Sequence, residues 1–165
     1  EGCQVAAAGK EVAKKNLAEI AMSYGYVYVA QIALGANPAH AIKAIAEAEA
    51  YDGPSLIICY APCEMHGIKG GMNHCQDTMK AAVKSGYWNL FTYNPALKEE
   101  GKNPFTLVSK PADGSYQDFL KNETRYTSLT RTFPERAERL FAESEKAAME
   151  RYNRLAKLAE LYNQQ

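Results

Sequence analysis

No excess of either charge marks this chain of 165 residues: 19 lysines and arginines balance 19 aspartates and glutamates. A nucleic acid or an anionic membrane surface calls for a basic face, and bulk electrostatics offers none. No apolar run approaches the roughly 20 residues needed to cross a bilayer. Neither a P-loop nor a G-x-G-x-x-G fingerprint occurs, which removes two common phosphate cradles. No Ser/His/Asp arrangement and no close pair of buried carboxylates stands out, and the acidic residues fall mostly on helix faces that should be solvated. A self-sufficient active site is not legible.

What is present has the make-up of a globular domain. Apolar residues are 47% of the chain and charged residues 23%, ordinary proportions for a soluble protein. A domain of this length buries roughly 70% of its unfolded surface. The four cysteines, Cys3, Cys59, Cys63 and Cys75, are spread along a non-secretory pattern, which favours thiols or metal ligands over disulfides. The sequon at Asn122-Glu-Thr124 has no secretory signal to accompany it. The chain opens on Glu1 rather than methionine, and the expectation is a piece of something longer.

Hydrophobic spacing orders the first half. Ala13, Leu17, Ile20, Ala21 and Tyr24 recur at helical intervals from Lys10 to Tyr24, and Gly25 ends that helix. Tyr26 to Ile32 is rich in β-branched and aromatic residues and predicts a strand. Asn37-Pro38 is a good helix start, because Asn accepts free backbone N–H groups and Pro fits the first turn. Ala41, Ile42, Ile45 and Ala48 form that helix's expected buried strip. Asp52-Gly53-Pro54 breaks it, and a strand over Leu56–Ala61 follows. Two short strands joined by a helix-length connection predict a parallel βαβ crossover. A third helix over Asn73–Ser85 and a third strand over Trp88–Tyr93 complete half of a doubly wound α/β sheet.

Composition shifts after Asn94. A loop-rich stretch carries a short strand at Phe105–Val108 and a short helix at Ser115–Leu120. Thr132-Phe-Pro-Glu135 fits a capping box and opens a long helix to about Tyr162, with Ala137, Phe141, Ala148, Tyr152, Leu155, Ala159 and Tyr162 in one stripe. At ~1.5 Å per residue it is roughly 40 Å long, more than a half-sheet needs, so it is expected to wrap another surface of a larger protein.

The most informative stretch is Pro54 to Cys63. An apolar strand stops at Pro62, and a cysteine then emerges at the strand's carboxyl end, the edge where ligands collect in open α/β sheets. On the residues alone Cys63 is either a buried small hydrophobe or a ligand for a soft metal such as zinc or an iron–sulfur cluster. Cys59, Cys63, His66, His74 and Cys75 together suggest zinc, but their spacings do not suit short paired knuckles. Cys59 lies within a predicted core strand, and Cys75 shares a helix face with Met79 and Val83. His66 and His74 fit loop and helix-cap positions. Gly67, Gly70 and Gly71 could turn backbone N–H groups toward an anion, but three glycines are weak evidence and a plain turn is the better explanation.

Several longer runs carry a family resemblance. They are Ala6-Ala-Ala-Gly-Lys10, Ala21 through Ala36, Lys43 through Tyr51, Gly53 through Ile58 and Ala61-Pro-Cys63. His66 through Met72, Gly86-Tyr-Trp88, Tyr93-Asn-Pro95, Gly101 through Phe105, Asp118-Phe-Leu120, Arg125-Tyr126 and Thr132-Phe-Pro134 continue the series. Together these runs resemble the carboxyl-terminal domain of pyruvate:ferredoxin (flavodoxin) oxidoreductases over nearly the whole chain.

The resemblance implies an α/β fold, a partial doubly wound parallel sheet of the thiamine-diphosphate-binding type with a C-terminal helical extension. Residues 1–95 would be the second half of that domain, and residues 96–165 a loop-rich extension ending in the long helix. Such enzymes decarboxylate pyruvate, pass electrons through 4Fe–4S clusters to ferredoxin or flavodoxin, and release acetyl-CoA. The cysteine of the family's Ala-Pro-Cys motif, here Cys63, would be the fourth ligand of the cluster nearest thiamine diphosphate, the other three lying far upstream.

The same resemblance implies what is missing. The Gly-Asp-Gly motif that binds Mg²⁺ and diphosphate belongs before Glu1, and the pyruvate-, CoA- and distal-cluster-binding regions lie in other domains. The expected partners are the remainder of the polypeptide and a second copy in a homodimer, in the cytoplasm or a hydrogenosome, without nucleic acid or membrane. No residue of this chain is assigned as catalytic or as a direct thiamine contact. The isolated segment is expected to be inactive. One rival is a non-catalytic packing module clamped by the long helix. A zinc protein built on Cys59, Cys63, His66 and Cys75 is the other.

Overall fold

A computed structural model describes residues 15–63, 65 and 67–161. The first described helix, α1 (Leu17–Ser23), is capped by Asn16, whose Oδ1 accepts from the Glu19 N–H at 3.2 Å; residues 10–14 of the longer predicted helix lie outside the described set. Strand β1 (Tyr28–Ile32) is followed by α2 (Pro38–Ala50). The Asn37 side chain accepts from the His40 N–H at 3.0 Å, and Pro38 fills the first turn as the sequence predicts. Strand β2 spans Ser55–Cys59 and ends ahead of Pro62. A single 3₁₀ turn (Met72–His74) leads into α3 (Cys75–Lys84). Then come β3 (Phe91–Tyr93), a one-turn α4 (Ala96–Glu99) and β4 (Phe105–Leu107). Three helices close the chain: α5 (Tyr116–Asn122), α6 (Thr124–Thr132) and the 28-residue α7 (Pro134–Leu161).

The protein is α/β with a C-terminal helical extension, as expected. Its four strands form one sheet in the order β2-β1-β3-β4. The β1–β2 pair is parallel, with Tyr28 opposite Ser55 and Ile32 opposite Cys59. Strands β3 and β4 make the sheet mixed, since β3 runs antiparallel to both β1 and β4. The cause is the position of α3. A parallel strand needs a crossover that carries the chain back to the amino edge of the sheet. Helix α3 instead packs beyond the carboxyl ends of β1 and β2, where Ala82 shares a cluster with Ala33, Tyr60 and Leu90. The chain therefore re-enters beside Gln31, which pairs with Phe91, and runs backwards along β1.

All five residues of β1 are buried, so both faces of this central strand are covered. By the two-residue period of a strand, Tyr28, Ala30 and Ile32 point one way and meet Ala41 and Ala44 of α2. Val29 points the other way and joins Ala18, Ala21, Phe91, Tyr93, Phe105 and Leu155. Helices α1 and α7 thus cover the face opposite α2. A third cluster, around Tyr60, Leu90, Tyr116, Phe119, Leu120 and Ala148, fills the space beyond the carboxyl ends of β1 and β2. Helix α7 serves both, placing Ala148 in the end cluster and Leu155 against the sheet.

Helix α2 sits about one residue-step rotated from the expected strip. It buries His40, Ala41 and Ala44, and leaves Ile42 65% and Ile45 50% exposed. Small residues let the helix lie close against the aromatic and branched face of β1, and the isoleucines flank that contact. Leu17, Ile20, Tyr24 and Tyr26 are also exposed. These residues give the chain an apolar outer surface around α1 and α2.

Gly35 fixes the approach of α3 to the β1–α2 turn. Its N–H donates to Met79 Sδ at 3.2 Å. A Cβ here would lie 2.8 Å from that sulfur and 3.0 Å from the Gln76 Cα. Because Gln76 Cα is helix backbone, it cannot give way without moving α3. Gly35→Ala is expected to cost about 1–3 kcal/mol by overpacking, read as a lower urea midpoint.

Candidate functional site

The chain leaves β2 through Tyr60, whose N–H donates to the Ile32 carbonyl at 3.0 Å. The Tyr60 side chain turns into the end cluster, with its ring 5.6 Å from Trp88 and 5.9 Å from Tyr87. Ala61 is exposed, Pro62 is buried and Cys63 is half-buried. The Cys63 carbonyl accepts from the Gly67 N–H at 2.9 Å, closing a turn that brings the chain back on itself. Gly67 at φ 70°, Gly70 at φ 91° and Gly71 at φ 96° occupy the left-handed region, which glycine enters without a Cβ penalty.

The returning leg is pinned to the α5–α6 junction. Ile68 forms an antiparallel bridge with Glu123. The Lys69 N–H donates to the Asn122 carbonyl at 2.9 Å, and the Thr124 N–H to the Gly67 carbonyl at 3.4 Å. The outgoing leg meets the same junction through a side chain, because the Tyr60 hydroxyl donates to Glu123 Oε1 at 2.9 Å. Both legs of the loop that carries Cys63 therefore converge on residues 122–124.

Glu123 is only 1% exposed, and an isolated buried carboxylate would be costly. Arg125 supplies the compensating charge, with its Nε 2.7 Å from Glu123 Oε2. The Arg125 guanidinium also donates to the Tyr87 hydroxyl at 3.1 Å, and that hydroxyl lies 2.8 Å from the Tyr126 hydroxyl. Arg151 donates to the Tyr87 carbonyl at 2.8 Å and so ties α7 to the same group. Burial, reinforced by the Glu123 charge, pushes the Tyr60 phenol well above its ordinary value. Burial and the neighbouring Tyr87 raise Tyr126 likewise. Burial alone would depress Arg125, but Tyr87, Tyr126 and Glu123 outweigh it and the net shift is upward.

The other sequence candidates are scattered. Cys59 is exposed rather than enclosed, because β2 is an edge strand with β1 as its one neighbour in the sheet. Cys75 is half-buried at the start of α3. His74 occupies the position before α3 with an exposed side chain, its Nδ1 3.8 Å from Asp77 Oδ2. His66 lies outside the described residues. An open depression of about 290 Å³ is lined by Lys69, His74, Asp77, Thr78, Ala81 and Asn122, without Cys63. Among the described residues no group of three His, Cys, Asp or Glu side chains comes together to hold a metal ion.

No protein-family model matches the chain. Comparison with curated proteins is decisive. The chain is 56% identical over 154 residues to the pyruvate:ferredoxin oxidoreductase of Moorella thermoacetica, which spans 92% of this chain and 13% of that protein. It is 53% identical over 150 residues to the pyruvate-flavodoxin oxidoreductase of Enterobacter agglomerans, covering 91% of this chain and 13% of that one. It is also 45% identical over 152 residues to a mitochondrial pyruvate dehydrogenase [NADP(+)] of Euglena gracilis, covering 92% of this chain and 8% of that protein.

The chain is a homologue of one segment of the pyruvate:ferredoxin and pyruvate-flavodoxin oxidoreductases. It spans about an eighth of the length of these curated relatives, 13%.

Among the described cysteines, Cys63 is the one that lies on the pinned strand-end loop. Sequence reasoning missed the group that pins it. The sequence places Tyr60 within the Leu56–Ala61 strand and leaves Glu123 in an unassigned stretch between two predicted helices. The one available signal was a charged residue at the end of a short amphipathic helix, beside the Arg125-Tyr126 pair.

The Tyr60 shift has a definite sign. A phenol whose folded value is raised contributes stability fully below the ordinary tyrosine value of 10.0, and loses it as pH climbs toward the folded value. Tyr60→Phe is expected to be about 1–3 kcal/mol less stable at neutral pH through loss of a charge-assisted hydrogen bond. That gap should narrow as the pH rises above 10.0. Urea midpoints of the two proteins across this range measure it.

Proposed function

We propose that this chain is part of an enzyme that oxidatively decarboxylates pyruvate, with Cys63 contributing one thiolate to the 4Fe–4S cluster nearest thiamine diphosphate. In the balanced reaction, pyruvate and CoA give acetyl-CoA, CO₂, one proton and two electrons. With Cys63 as one of its ligands, a 4Fe–4S cluster would provide a one-electron acceptor near the cofactor, for electrons bound for ferredoxin or flavodoxin. The single observation that carries the reading is the 56% identity to a pyruvate:ferredoxin oxidoreductase across 92% of this chain.

The donor set fits a shared cluster better than a complete one. A 4Fe–4S cluster takes four thiolates. The described residues assemble no three-residue metal group, so the remaining ligands would come from elsewhere in the polypeptide. Cys63 is half-buried on a loop held at both ends, which suits a ligand that has to meet a partner's iron in a fixed place. Cys59, Cys63 and Cys75, which are all described, form no such group, and this disfavours a zinc site built on the three cysteines. Thiamine diphosphate and Mg²⁺ would be held mainly by other parts of the enzyme, with this segment as scaffold.

A packing role is part of the same reading. Exposed apolar residues lie over both faces of the sheet, Leu17 and Ile20 on α1 and Ile42 and Ile45 on α2, and they suit packing against further polypeptide. Their partner on this reading is the rest of the oxidoreductase polypeptide. No described helix is long and apolar enough to cross a membrane.

Cys63→Ala in the intact oxidoreductase is expected to abolish the electron paramagnetic signal of one cluster and to lower iron content accordingly. Unchanged iron and spectrum would overturn the ligand assignment. The 165-residue chain purified anaerobically on its own should bind little iron and little thiamine diphosphate, checked by metal analysis and calorimetry. Tight stoichiometric binding of both would contradict a site shared with other regions.

A further inference from the structure

We infer that Glu123 is the positioning residue of the Cys63 loop, acting with Tyr60 to set where the thiolate is presented. The inference rests on the reading of Cys63 as a cluster ligand and adds to it the group that aims the ligand.

The geometry makes Glu123 a two-handed clamp. Its carboxylate holds the outgoing leg, with Oε1 accepting from the Tyr60 hydroxyl at 2.9 Å. Its backbone holds the returning leg through the bridge to Ile68, and its neighbours add the Lys69–Asn122 and Thr124–Gly67 bonds. Between Tyr60 and Gly67 lie six positions, 61–66, and Cys63 is the one cysteine among them. The Cys63–Gly67 hydrogen bond then closes the turn from inside. Fixing both legs removes most of the freedom with which the thiolate could drift, and a ligand meeting a cluster completed by other regions needs that preorganisation.

A carboxylate is an unusual choice for this place if stability alone mattered. Buried ion pairs are weak contributors to stability, and well-packed apolar replacements are often as good. What an apolar residue lacks is a directional acceptor that dictates where the Tyr60 ring ends and the loop begins. Arg125 places its Nε 2.7 Å from the second carboxylate oxygen, Oε2, so the oxygen that Tyr60 does not use is paired as well. Metal centres elsewhere show the same arrangement, in which residues behind the ligands orient them and tune the metal.

The test uses the intact, anaerobically prepared oxidoreductase in Cys63→Ala, Tyr60→Phe and Glu123→Gln forms. Circular dichroism, iron per protomer, and the g-values and midpoint potential of the cluster nearest the thiamine cofactor are measured. Tyr60→Phe and Glu123→Gln are expected to keep native dichroism and full iron while shifting the g-values of that one cluster. Glu123→Gln should also raise its midpoint, because the Arg125 charge is then uncompensated and favours the reduced state. A residue that merely filled space would move neither quantity once iron is bound. If Cys63→Ala abolishes the signal while both other variants retain wild-type g-values and midpoint, Glu123 has no positioning role and the ligand assignment stands. If Cys63→Ala leaves the signal intact, the ligand assignment falls and this inference with it. Should Glu123→Gln fail to fold, Tyr60→Phe decides, since it removes only the hydroxyl that Glu123 holds.

Discussion

The constraint on which the structure depends is the filling of the sheet's carboxyl edge by aromatic side chains. Tyr60 stands at the end of β2, and Tyr87 at its centre makes ring contacts with Tyr60, Tyr116, Phe119 and Tyr126. The Trp88 indole N–H donates to the Ile32 carbonyl at 3.0 Å, joining that cluster to the end of β1. Because α3, α5, α6 and the Ala148 part of α7 gather here, β3 enters from the carboxyl edge and runs antiparallel. The mixed sheet, the doubly used α7 and the pinned Cys63 loop all follow from this one placement. Aromatic rings supply large apolar area together with polar tips, and here the tips form the Glu123–Arg125 network.

Elements whose signals are local were legible in the sequence. Asn37-Pro38 carries its own capping chemistry, and α2 begins where that chemistry says. The β-branched runs at Tyr28–Ile32 and Ser55–Cys59 became the parallel pair. Failures came where a partner's shape decides. Ile42 and Ile45 fit a helical stripe as well as Ala41 and Ala44 do, and only the crowded face of β1 selects the alanines. Helix α6 was missed because Thr124–Thr132 is rich in threonine and serine, weak helix formers. It holds through Leu129, its buried residue, and the pairing of its first turn with the Cys63 loop. Cys59 was assigned to a core because its strand is apolar, and strand order alone puts it at an open edge.

The candidate site divides along the same line. Cys63 was legible because Pro62 stops a strand just before it, and because the surrounding motifs match those of a known family. Glu123 was not, since nothing near it in the chain marks a glutamate that ends buried against a tyrosine 63 positions away. Its role exists only in three dimensions. Local sequence reports the group that would touch the metal, and tertiary structure reports the group that would aim it.

This division has a thermodynamic side. A single thiolate binds iron weakly, and a site shared between distant segments gains affinity only if each ligand arrives already placed. On the proposed reading, the ordering of the loop is met within this segment by hydrogen bonds to residues 122–124 and by the aromatic cluster behind Tyr60. Association with the rest of the enzyme would then spend little further entropy at the cysteine. The apolar surface around α1 and α2 would drive that association. Loop order and surface hydrophobicity thus serve different steps: one presents the ligand, and the other brings the remaining ligands to it.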